Sequence, residues 1–137
     1  MLLVLVAVAL AASAQTKSWS GTWSATAGSR VFSGTWDAME STDAATASGT
    51  WTLTDPSGTP LAAGTWAARK NAKSWQGGWQ ARTANGQSYS GTWRATTQLV
   101  ATPRMAMMFE AALSSTIQGT WQMGTAAGAW SIRAYSR

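Results

Sequence analysis

Trp19-Ser20-Gly21-Thr22-Trp23 is followed, 13 residues on, by Phe32-Ser33-Gly34-Thr35-Trp36, and the same pattern then returns six more times. The later copies close on Trp51, Trp66, Trp79, Trp93, Trp121 and Trp130, so the steps between closing tryptophans are 13, 15, 15, 13, 14, 28 and 9 residues. Self-similarity at this spacing makes one supersecondary unit answer for the whole chain. Within each copy an apolar residue, a glycine and a tryptophan occupy alternate positions, with Ser, Thr or Gln in most of the places between. Period two is the mark of a strand. In a helix, a Gly and a Trp two residues apart would point to different sides. One apolar face opposite one polar face describes a sheet buried on one side, the antiparallel arrangement.

Opposing the central threonines of neighbouring strands tests this reading against turn chemistry. Thr22 opposite Thr35 sets Ala27 against Arg30 and leaves Gly28-Ser29 as a two-residue loop. Trp121 opposite Gly128 leaves Gly124-Thr125, and Trp79 opposite Gly91 leaves Ala84-Asn85-Gly86. Thr50 opposite Thr65 leaves Ser57-Gly58 within Pro56-Ser57-Gly58-Thr59. These are lengths and glycine placements that hairpins favour. The same register predicts that every Trp lies beside a Gly of its neighbour. Trp23, Trp51, Trp79 and Trp121 form one layer with Gly34, Gly64, Gly91 and Gly128. Trp36, Trp66, Trp93 and Trp130 form the next with Gly21, Gly49, Gly77 and Gly119. Glycine weakens a strand interior, but here it makes room for an indole that covers it. Eight strands enclose an interior that side chains can fill. The expected fold is therefore all-β, an eight-stranded antiparallel up-and-down barrel, with strands near 17–26, 30–39, 45–54, 60–69, 73–82, 87–97, 115–123 and 126–135.

The two ends of the chain frame this core. Leu2 to Ala12 is an unbroken apolar run ending in Ala12-Ser13-Ala14, the h-region and cleavage pattern of a secretory signal peptide, although no Lys or Arg precedes it. The run is too short for a membrane helix. Residues 1–14 are expected to be a signal and 15–137 a single barrel domain, secreted or exported to the periplasm of a bacterial cell. Residues 98–115 interrupt the repeat. Thr102 is a plausible N-cap, Pro103 suits the first helical position, and Met105, Met108, Phe109 and Ala112 keep helical spacing. A helix over about 103–114 then sits at one barrel end, near Trp19, Trp75, Ile117 and Ile132, as a plug. A Met-rich lid over a ligand entrance is the alternative.

Composition removes much chemistry. The 137 residues include ten Trp, no Cys and no His, and only five acids, Asp37, Glu40, Asp43, Asp55 and Glu110. Disulfide scaffolds, thiolate or imidazole metal sites and Ser-His or Cys-His nucleophiles are excluded. No phosphate loop, dinucleotide fingerprint or metalloprotease motif occurs. Strand alternation puts Asp37 outside, away from any paired-carboxylate cleft. No enzyme activity, cofactor or metal is expected. A net charge of +5 favours anionic surfaces, yet the bases are dispersed apart from Arg69, Lys70 and Lys73 at one turn. That turn reads as a solvated tip, with docking onto envelope phosphates as the alternative; nucleic acid is not expected.

Three other architectures compete. The row Thr22, Thr35, Thr50, Thr65, Thr92 and Thr120 suits an ice-binding solenoid, but a barrel curves such a row away. A small outer-membrane barrel would need the Trp and Gly face outward. A solid Trp-filled core would make a structural or adhesive envelope protein.

Gly-Thr-Trp in a first strand resembles the lipocalin and avidin barrels, in which the motif occurs once or rarely rather than throughout. The resemblance covers three residues and an architecture, and it implies an up-and-down barrel that holds a small ligand.

The candidate site follows from the barrel. The end without the helix has Ala25, Phe32, Leu53, Ala62, Ala81, Tyr89, Met123 and Ala126 facing inward, above a floor of Trp23, Trp51, Trp79 and Trp121. Half of the upper ring is alanine, and Tyr89 is its one hydroxyl. An apolar cup with one polar handle suits a small apolar or amphipathic molecule.

Overall fold

A computed structural model describes residues 18–40, 46–71, 74–97 and 105–135. The proposed signal, Lys73 and the first residues of the expected helix lie outside these. Eight strands follow in order: β1 Ser18–Ala27, β2 Arg30–Glu40, β3 Thr46–Thr54, β4 Pro60–Asn71, β5 Ser74–Thr83, β6 Ser88–Ala95, β7 Ile117–Met123 and β8 Ala126–Ala134. They form a closed antiparallel barrel in which each strand pairs with its sequence neighbours and β8 returns to β1. One helix, α1 Met105–Ser114, precedes β7.

The register is the expected one at four junctions. Thr22 faces Thr35, Thr50 faces Thr65, Trp79 faces Gly91 and Trp121 faces Gly128. Turn glycines supply the left-handed backbone that closes these hairpins, as Gly28 (φ 61°) and Gly124 (φ 58°) show in the two tightest. The β3–β4 turn departs from expectation. A register shift at Leu53/Thr54 brings Thr54 to Pro60, and Asp55 N–H donates to the Thr59 carbonyl at 3.0 Å.

The remaining four junctions correct the sequence reading. Trp36 faces Trp51, Trp66 faces Trp79, Trp93 faces Trp121, and Trp23 faces Ile132. Relative to opposed threonines, the register slips by two residues at each of the first three and by four at β8–β1. Tilted strands need such a stagger to close a barrel. It also breaks the threonine row: the Thr35 hydroxyl bonds to that of Thr52, at 2.7 Å, rather than to that of Thr50.

The two indole layers survive the slip, because a stagger of two residues preserves which face each residue occupies. Trp23, Trp51, Trp79 and Trp121 form edge-to-face contacts with centroids 5.8, 6.4 and 6.5 Å apart. Trp66, Trp93 and Trp130 continue the lower layer at 6.3 and 5.7 Å. Each of the eight repeat tryptophans donates its indole N–H to a wall carbonyl. Trp23 reaches both Thr35 O (3.1 Å) and Thr52 O (2.9 Å), bridging β2 and β3. The indole body fills the interior and its polar atom pins the wall.

The glycines have a second reason that the repeat does not reveal. A Cβ at Gly34 would lie 1.7 Å from Thr52 O, and one at Gly77 would lie 1.7 Å from Ala67 O. At Gly34 the indole of Trp23 is farther, at 3.0 Å. The neighbouring backbone therefore approaches closer than the covering ring at these positions.

Candidate functional site

The barrel ends differ because their inward rings differ. At the helix end the ring holds Trp19, Ala38, Ala47, Ala68, Trp75, Ala95 and Ile117, all buried. Four alanines leave a central space, and Phe109 occupies it, 1% exposed. Its ring lies 5.1 Å from Trp19, 5.5 Å from Trp36 and 6.0 Å from Trp66. Met108 and Ala112 are buried beside it, while Met107 faces outward. This end is packed shut.

The opposite end gathers the residues expected from the sequence. Ala25 faces Phe32, Leu53 faces Ala62, Ala81 faces Tyr89 and Met123 faces Ala126, each pair beside a hairpin tip. Phe32, Leu53, Ala62 and Met123 are half-buried, as are Trp23, Trp51, Trp79 and Trp121 below them. The four indoles thus form a floor that solvent partly reaches. Their N–H groups are turned into the wall, so the floor presents ring edges and faces but no free donor.

Tyr89 occupies a different role from the one expected. It is 42% exposed, and its hydroxyl donates to Gln87 Oε1 at 2.8 Å. The polar handle therefore belongs to the rim and is already engaged. Gln87 was missed, although it shares Tyr89's alternation and stands two residues nearer the tip. The carboxylate at this end is also engaged: Asp55 accepts the Ser57 hydroxyl at 2.6 Å and the Ser57 and Thr59 N–H groups, both at 2.9 Å. These bonds, the Ser57 hydroxyl first, hold its pKa below the ordinary 3.8. Arg30, two residues above Phe32 on the same strand face, is exposed at the mouth.

Asp37 lies on the outer wall as expected, where it accepts the Thr50 N–H at 2.8 Å and the Thr50 hydroxyl at 2.7 Å. Arg69 is exposed and Lys70 half-buried at the helix end of β4.

A second concavity was not foreseen. It measures about 760 Å³ and its lining includes Gln76, Thr92, Arg94, Thr120, Gln122 and Ala127. These six of the ten lining residues stand at outward positions of β5 to β8, so the groove is on the outer wall, with Gly77, Trp93, Trp121 and Gly128 completing the lining between them. Alternation marks the six as outward-facing, but nothing in the repeat says that they share a depression. Comparison with family models, curated proteins and solved structures finds no match to this chain.

Proposed function

We propose that this chain is an exported, non-enzymatic barrel that takes a small apolar or amphipathic molecule into its open end. The observation that carries the reading is the contrast between the ends: Phe109 seals one, while four indoles remain partly exposed at the other. Aromatic floors with no unpaired donor favour hydrocarbon or the apolar face of an amphiphile. Arg30 at the mouth suits a polar or negatively charged headgroup left in water. The signal-like residues 1–14 support export to the periplasm or beyond. Exposed Thr22, Thr35, Thr50, Thr65 and Thr92 on the outer wall favour an aqueous surround over lipid.

Titration with bromododecanol tests this, because bromine quenches a nearby indole. Saturable quenching is expected. Ala62→Trp, which fills the cup from its wall, should abolish it while leaving the unfolding midpoint near that of the parent. Unsaturable quenching, or saturable quenching unaffected by Ala62→Trp, would remove the site from this end. Native mass spectrometry of protein from its source should show a bound small molecule; a purely structural barrel would fly empty.

A further inference from the structure

The five acids of the chain all lie outside β5 to β8. Those four strands carry Arg82, Arg94 and Arg133, each outward and exposed, as their only charged residues. Half of the barrel wall is therefore of one sign. Between β2 and β3 some outward polar groups satisfy one another: Asp37 binds Thr50 and Thr35 binds Thr52. The side chains of Gln76, Arg94, Thr120 and Gln122, by contrast, make no hydrogen bond or ion pair to another described residue.

These partnerless groups are neighbours. Gln76 faces Arg94, which faces Thr120, while Thr92 faces Gln122, which faces Ala127. The groove of about 760 Å³ is lined by the small residues Gly77, Ala127 and Gly128 among longer amide, hydroxyl and guanidinium groups. Its rigidity is inherited from the wall, since Thr92 and Thr120 give their carbonyls to the indoles of Trp79 and Trp130 on the inside.

We infer that this outer groove binds an acidic polysaccharide, with a uronate carboxylate on Arg94 and sugar hydroxyls on the flanking Gln and Thr side chains. A guanidinium matches a carboxylate with two parallel donors. Amide and hydroxyl groups, able to donate and accept, match a hydroxyl-rich chain. The same-sign wall would hold successive acidic sugars nearby without repelling any of them. This site is separate from the cup and stands whether or not the cup is occupied.

Fluorescein-labelled polygalacturonate oligomers, followed by anisotropy at about 0.15 M salt where unspecific surface attraction is screened, are the probe. Binding is expected, with labelled maltodextrin and polyphosphate much weaker. Arg94→Gln should weaken it about tenfold, the size of one lost charge-assisted pair. Thr120→Trp, outward and able to fill the groove, should do the same without shifting the unfolding midpoint. Arg30→Gln, which removes equal charge at the mouth, should leave it unchanged. Absent binding, equal binding of maltodextrin or polyphosphate, or equal losses in Arg94→Gln and Arg30→Gln would each overturn the inference.

Discussion

Two adjacent glycines in β5 give the sharpest test of how the wall is built. Gly77 points inward and Gly78 outward, so alanine at each adds the same methyl group to opposite faces. At Gly77 the new Cβ would lie 1.7 Å from Ala67 O and 3.0 Å from Ala68 Cα. Ordinary contact begins near 3.4 Å, so the backbone must retreat by more than an ångström. No rotamer change relieves a clash with backbone. The same Ala67 carbonyl accepts the Trp93 indole N–H at 3.1 Å, so moving it also disturbs the lower layer. Overpacking costs about 1–3 kcal/mol and a broken hydrogen bond about 1 more, so Gly77→Ala should lose about 3 kcal/mol. For a domain of this size that is roughly 10 °C in Tm. At Gly78 the nearest atom is 3.5 Å away, and alanine restricts the unfolded chain, so Gly78→Ala should gain about 0.5 kcal/mol. Urea unfolding followed by Trp emission, with thermal circular dichroism, measures both. If the two variants unfold within about 0.5 kcal/mol of each other, beyond which single-site effects are normally resolved, the close carbonyl approach is refuted.

Trp36→Ala, at a 6% exposed site, should cost about 4 kcal/mol. Trp79→Ala, half-buried, should cost roughly 2 kcal/mol because less area leaves water, and equal costs in urea unfolding would refute this difference in burial. Phe109→Ala should cost about 3–5 kcal/mol and admit water to the helix end; a loss below about 1 kcal/mol would mean that α1 does not plug the barrel. The Asp55 carboxylate, held below its ordinary 3.8, stabilises its turn fully above that pH and loses this effect as pH falls through its lower folded value. Amide exchange at Ser57 and Thr59, corrected for intrinsic rates, should therefore quicken in that acid range. Asp55→Asn should remove the dependence, and its persistence in that variant would assign it elsewhere.

What the sequence alone determined is everything that period two and short turns control. Alternation placed Trp23, Trp36 and their counterparts inward, and the loops at Gly28, Gly86 and Gly124 set three hairpin registers that the structure repeats. The β3–β4 strands also kept their predicted pairing, although their turn did not. The unequal ends were legible in the Met-Phe helix expected at one of them, but not in the four alanines there, Ala38, Ala47, Ala68 and Ala95, that make room for Phe109. The tertiary structure decided the stagger at the other junctions. Barrel closure is a condition on all eight strands together, so no local segment encodes it. From that stagger follow the carbonyls that approach Gly34 and Gly77 and the acceptors of the Trp66, Trp93 and Trp121 indoles, which lie beyond the staggered junctions. The outer groove belongs to the same class. Alternation could place Gln76, Arg94 and Thr120 outside, but only cross-strand pairing makes them neighbours and leaves them without partners.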